Sequence, residues 1–188
     1  MRREAGFTLI EVMTVVAVIG ILAGIGTWQL RKQLPRYRAN AAAGKLVLDV
    51  RQASAIASRT NRPVTLTVNE VDCAPGYVLA QGSVEYARIC FDLEYPGVEI
   101  RSAGGGDLGC AQEAGLGYDP IPSCTLCSGS HVIRFLPNGE VITPSGGDES
   151  LVLGPRGDPP GFDRAVGIRN LTGKARAYRR AAGGWECL

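Results

Sequence analysis

Gly6-Phe7-Thr8-Leu9-Ile10-Glu11 decides how this chain is read. A small residue precedes an aromatic one, and a lone carboxylate stands at the mouth of a long apolar run. From Val12 to Leu30 there is no charged residue. A run of that length can cross a hydrocarbon core of about 30 Å, which takes roughly 20 helical residues. Glu11 then sits where a carboxylate is costly, and an ionisable group in such a segment is a functional candidate. A cation beside it would make that burial tolerable.

Two simpler readings fit less well. A secretory signal is cut after its apolar region, which is about 7–15 residues long. Here the small pair near the start, Ala5-Gly6, comes before the apolar region. A plain membrane anchor accounts for the hydrophobicity but gives Glu11 nothing to do.

The pattern resembles the type IV prepilin leader. The resemblance implies that a dedicated prepilin peptidase removes residues 1–6, cutting between Gly6 and Phe7, and that the new N-terminus at Phe7 is methylated. Glu11 would then be the mature fifth residue, which in that family compensates the N-terminal amine of a neighbouring subunit in a filament. On this reading 7–30 is a transmembrane and filament-core helix, 31–60 is the amphipathic half of the same helix, and 61–188 is a globular β domain.

The remaining sequence fits one soluble domain behind the membrane segment. The net charge of +2 hides a block pattern. Arg31 to Arg62 holds eight basic residues and one acid, Asp49; Asn69 to Asp163 holds four basic residues and fourteen acids; Arg164 to Arg180 holds six basic residues and no acid. Such blocks are usually solvated faces that also guide encounter and assembly. Six cysteines in so small a domain suggest an oxidising compartment. That places the part after the membrane segment outside the cytoplasm; the prepilin resemblance implies a single-pass protein of the inner membrane with its globular domain in the periplasm, or outside the cell if built into a pilus. The basic residues flanking the apolar run on both sides give the opposite vote when counted by the positive-inside rule. The leader and the cysteines agree with each other and outweigh it.

The pattern predicts one long helix from Phe7 to about Arg59. Leu46, Val50, Ala53 and Ala57 form its apolar stripe, with Lys45, Asp49, Arg51 and Gln52 off it. Pro35 is expected to kink or open the helix. Gly20 and Gly24, joined by Gly26, read equally as close-packing sites or as ordinary membrane-helix glycines. Asn61-Arg62-Pro63 ends the helix. Strands are predicted at Val64–Val68, Tyr77–Ala80, Tyr86–Phe91, Val98–Ser102, His131–Leu136, Glu140–Thr143, Ser150–Leu153, Ala165–Arg169 and Lys174–Arg179. Pro137-Asn138-Gly139 between two apolar runs signals a hairpin. The stretch 104–130 reads as a cysteine-rich loop pinned by disulfides. A helix followed by many short strands is an α+β pattern. The expected architecture is the long helix packed on an antiparallel, sandwich-like β domain.

Three further places resemble the GspH/FimT family, which groups the H-type minor pseudopilins of type II secretion with the FimT-like minor pilins. They are Leu48-Asp49-Val50-Arg51-Gln52-Ala53 running through Ala57-Ser58-Arg59 to Pro63-Val64-Thr65-Leu66, Ile133-Arg134-Phe135-Leu136-Pro137-Asn138-Gly139, and Val166 to Arg176. The resemblance implies a pilin-like fold and a structural, non-enzymatic role in a type II secretion pseudopilus or a type IV pilus. The partners it implies are other pilin or pseudopilin subunits, the prepilin peptidase and an inner-membrane assembly platform. The cysteine-rich insertion departs from the usual family pattern.

Several motifs could carry chemistry. Cys110, Cys124, Cys127 and His131 have zinc-ligand spacing, but thiols in an oxidising compartment pair with each other first. Cys73, Cys90, Cys110, Cys124, Cys127 and Cys187 are therefore read as candidate disulfide partners, with no metal and no cofactor. Cys73 and Cys90 bracket the Tyr77 strand and could staple it. The Cys124-x-x-Cys127 pair lacks the βαβ setting of a redox motif. Gly104-x-Gly106-x-x-Gly109 has no helix behind it, as a dinucleotide fingerprint requires. No catalytic triad or nucleophile elbow is apparent. Arg169, Lys174, Arg176, Arg179 and Arg180 surround Tyr178, and cations of this kind can hold nucleic-acid phosphates. Some FimT-like proteins bind DNA during uptake through a Gly-Arg-x-Arg motif, which Gly173-Lys174-Ala175-Arg176 resembles with lysine in place of the first arginine. DNA binding in uptake, through Lys174, Arg176, Arg179 and Arg180, is the alternative function. The simpler account is an edge strand whose Lys and Arg discourage aggregation.

Overall fold

The computed structural model describes residues 8–101, 108–109, 119–122, 124–182 and 184–188, with the side chains of 26–32 and 160 left aside. The chain is α+β and divides into two compact units, Met1–Leu34 and Pro35–Leu188.

In the first unit, helix α1 (Leu9–Thr60) begins. Thr8 caps it: its Oγ1 accepts the Glu11 N–H at 3.4 Å, and its carbonyl accepts the same N–H at 3.1 Å. Thr8 and Glu11 stand at the spacing of a capping box. The described side chains of this unit, from Leu9 to Ile25, are exposed all round. Among the described residues no helix is long and apolar enough to cross a membrane. The predicted span 7–30 lies partly outside them, at Phe7 and at the side chains from 26 onward.

The second unit starts at Pro35, inside α1, and the helical assignment runs through that residue. Ala39, Ala42, Ala43, Leu46, Val50, Ala53 and Ala57 are buried along one stripe. Asn61 takes a left-handed conformation (φ 52°) just past the helix end, a position asparagine tolerates, and Pro63 follows.

Among the described residues, ten strands form two antiparallel sheets. The first has the order β3-β2-β1-β5-β6, from β1 (Val64–Val68), β2 (Gly76–Gln81), β3 (Val84–Cys90), β5 (His131–Phe135) and β6 (Val141–Ile142). The second has the order β10-β9-β8-β7-β4, from β4 (Val98–Ile100), β7 (Glu149–Pro155), β8 (Arg164–Ile168), β9 (Ala175–Ala181) and β10 (Gly184–Cys187). The β5–β6 turn is closed by Gly139 N–H donating to the Leu136 carbonyl at 3.0 Å, with Gly139 at φ 86°. That is a type I turn ended by a left-handed glycine.

The helix stripe shares one core with Val64, Leu66, Val68, Leu79 and Ile133 of the first sheet and Leu151, Leu153, Val166 and Ile168 of the second. The second sheet also buries its other face: Val152, Ala165, Tyr178 and Trp185 pack with Leu108 and Ile121 of the cysteine-rich segment. Leu108 and Ile121 exchange backbone hydrogen bonds of 2.7 Å each.

Several predicted features differ from the structure. Phe91 opens a short helix, α2 (Phe91–Glu94), rather than ending a strand. Strand β9 is not an edge, because β10 pairs along it from Gly184↔Ala181 to Cys187↔Tyr178. Asp49, placed off the apolar stripe, is buried: it accepts the Tyr77 hydroxyl at 2.7 Å and pairs with Lys45 Nζ at 2.5 Å. Burial, and then the neighbouring Asp49 carboxylate, push the Tyr77 hydroxyl far above its usual pKa, so it stays a donor.

Candidate functional site

Gly6 and Phe7, the predicted cleavage and methylation residues, lie outside the described residues. Glu11 is in the first helical turn, where backbone N–H groups without helical partners leave a partial positive charge that suits a carboxylate.

The cysteines form covalent links. Cys73 joins Cys90, tying the 3-10 turn before β2 (Val71–Cys73) to the end of β3. Cys124 joins Cys127, so neither is a free thiolate, and the alternative zinc set loses two of its members. Their turn aims Leu126 into the main core, held by Leu126 N–H to the Ser150 carbonyl at 2.9 Å. His131 opens β5, with Nε2 2.5 Å from the Ser128 carbonyl oxygen. Cys187 is also disulfide-bonded, and Cys110 lies outside the described residues.

The basic stretch splits in two. Arg179 is held by Glu186 of β10 directly across the ladder, with nitrogens at 2.8 and 2.9 Å from one carboxylate oxygen. Arg180 lies over the Trp185 ring at 5.6 Å and 4.0 Å from Asp163, which Arg101 also binds at 3.0 Å. Burial raises the Asp163 carboxyl above its usual range, against the pull of Arg101 and Arg180. These two arginines therefore serve the fold, and the structure does not gather them with the other pair.

Lys174 and Arg176 instead line a recess of about 410 Å³ together with Arg51 of α1 and Arg169. The turn from β8 to β9 makes it. Gly173 N–H donates to the Arg169 carbonyl at 2.9 Å, and Arg169 N–H to the Lys174 carbonyl at 3.0 Å. Gly173 has φ +62°, and a Cβ there would come within 2.6 Å of Val141 Cγ2 and 3.3 Å of Ser54 Oγ. Only glycine lets this turn lie against the helix. Arg169 is fixed by Asp148 at 2.6 Å and by the Asp119 carbonyl at 2.5 Å. Among the described residues no carboxylate lines the recess. Arg51 was not singled out from the sequence; its only signal was a position off the apolar stripe.

Residues 1–27 match the prokaryotic N-terminal methylation motif, so the chain carries a type IV prepilin-like N-terminus of the kind that anchors in a membrane. No curated protein and no solved structure matches the chain.

Proposed function

We propose that this chain is a non-enzymatic minor pilin or pseudopilin of the GspH/FimT type, cut after Gly6 and built into a helical filament through its N-terminal helix. The observation that carries this reading is the methylation motif over residues 1–27, which takes in Gly6, Phe7 and Glu11. Support comes from the α+β order of a long helix followed by two antiparallel sheets. The protein waits in the inner membrane with its globular part in the periplasm, and serves type II secretion or pilus assembly. Apolar helix packing and the pairing of Glu11 with a neighbour's amine drive assembly. In the family the subunit at the filament tip lacks this acid, so the protein belongs below the tip or along the shaft. Mass spectrometry of the processed chain tests the first step: the mature N-terminus should be a methylated Phe7. Glu11→Ala should remain membrane-inserted and be cut, yet be depleted from sheared filaments; normal incorporation would sink the pairing mechanism.

A second reading, DNA capture during uptake, is favoured by one observation: Lys174 and Arg176 line a recess with two further arginines. Gel shifts of the full chain in detergent, with and without Lys174→Ala and Arg176→Ala, test it.

A further inference from the structure

We propose that the recess enclosed by α1, the β8–β9 turn and β9 binds a small phosphate monoester, its phosphate seated among Arg51, Arg169, Lys174 and Arg176. The inference depends on neither reading of the chain's role, since it rests on the recess alone. Four cationic side chains from three parts of the fold line one half-open recess of about 410 Å³. Cations gathered round one recess suit a compact anionic group, and a phosphate monoester carries about −1.5 to −2 charge at neutral pH. Asp148 and the Asp119 carbonyl hold the Arg169 guanidinium in place before any ligand arrives. Guanidinium groups donate paired hydrogen bonds to phosphate oxygens. Lys174 and Arg176 also touch other groups; lining the recess is all that is required of them.

The rest of the lining defines the rest of the ligand. Ser54 and Thr172 supply hydroxyls beside the cations, while Ile121, Ala175 and Tyr178 give an apolar wall. The volume falls within the range of about 300–1,000 Å³ common for small-molecule pockets. Such a volume leaves room for an organic part beside the phosphate.

Calorimetry of the full chain in non-ionic detergent, at low salt and in phosphate-free buffer, tests this. The probes are inorganic phosphate, a nucleoside 5′-monophosphate, a sugar phosphate and vesicles containing phosphatidic acid. Inorganic phosphate should bind at millimolar concentration and at least one soluble monoester more tightly. The preferred monoester separates a nucleotide from a sugar phosphate as the source. Arg51→Gln with Lys174→Gln should weaken that binding about tenfold or more, the scale of losing hydrogen bonds to a charged group. Arg156→Gln, which alters an exposed arginine paired with Asp92 and Glu99, should leave it unchanged. If the double variant melts early, the unmodified protein gives the same answer: monoester should slow acetylation of Lys174 but not of Lys45, which lies against Asp49. No response to soluble monoesters, equal binding by a well-folded double variant, or response to lipid vesicles alone would overturn the proposal. A shift with long DNA but none with monoesters would overturn it while leaving the DNA reading standing.

Discussion

Tyr77→Phe removes one oxygen from the interior and leaves the ring where it was. In the native protein that hydroxyl donates to Asp49 Oδ2 at 2.7 Å, and both residues are buried, Asp49 at 1% exposure. The substitution opens no cavity of consequence, so the loss reports the hydrogen bond rather than packing. Bonds to charged groups contribute about 1.5–3 kcal/mol, because the carboxylate left behind is under-solvated. Lys45 stays on the other oxygen at 2.5 Å and holds the loss toward the middle of that range, about 2 kcal/mol. For a domain of about 150 residues, that lowers the melting temperature by roughly 4–8 °C. The assay is thermal and urea unfolding of the full chain in detergent, closed into a double-mutant cycle with Asp49→Asn. The coupling energy should exceed about 0.5 kcal/mol, since the two side chains touch. The pH dependence adds an independent check. Burial and Asp49 raise the Tyr77 pKa above its unfolded value of about 10, so above that pH the unfolded chain loses a proton that the folded chain keeps. Wild-type stability should therefore fall relative to Tyr77→Phe as pH rises past about 10. A variant that melts with wild type, or a cycle that closes additively, would refute this account of how the helix is fixed to the first sheet.

Replacing Cys73 and Cys90 together by serine frees a loop spanning a sequence separation of 17 and should cost about 3 kcal/mol, read as a lower urea midpoint that reductant no longer changes much at this site. Asp163 sets a pH dependence of opposite sense to the usual paired carboxylate, because burial outweighs the pull of Arg101 and Arg180. Because burial raises its pKa in the folded state, its contribution is fully present below the unfolded value of about 4 and is lost as pH rises through the folded value. Asp163→Asn should gain stability relative to wild type between about pH 4 and neutrality, and a relative loss over that window would contradict the assignment.

Much of the fold is legible wherever one face of an element meets water. Val64-Thr-Leu-Thr-Val68 alternates buried and half-buried residues, and its strand bounds are those read from the sequence. The Asn-Gly turn is legible for the same reason: a left-handed position needs a residue that tolerates it. Legibility fails where both faces are covered. Every residue of β7 is buried, so its polar start, Glu149 and Ser150, carries no alternation and the strand runs past the predicted Ser150–Leu153 at both ends. Glu149 is tolerated there because its Oε1 accepts the Ser145 N–H at 3.1 Å. Strand β10 was missed because Gly184-Trp-Glu-Cys187 is short and shows no run of β-branched residues. Asp49 was misplaced because a polar residue on a helix reads as solvated until its partner is known, and Tyr77 lies 28 residues further on.

The basic stretch shows why residue type and spacing could not define a site by themselves. Arg176, Arg179 and Arg180 are near neighbours in sequence, yet a strand turns alternate side chains to opposite faces. Arg179 faces one way and meets Glu186, which a hairpin with β10 sets beside it. Arg176 and Arg180 share the other face, but Arg180 is drawn to Asp163 and Trp185 while Arg176 borders the recess. What completes that recess is Arg51, and it arrives only because Gly173 lets the β8–β9 turn approach Ser54 of the helix. The recess thus depends on one left-handed glycine, so a side chain at position 173 should disturb it while leaving the ion pairs of Arg179 and Arg180 in place. The charge block visible in the sequence is accordingly two things: a set of braces for the second sheet, and one half of a cationic recess whose other half lies on the helix.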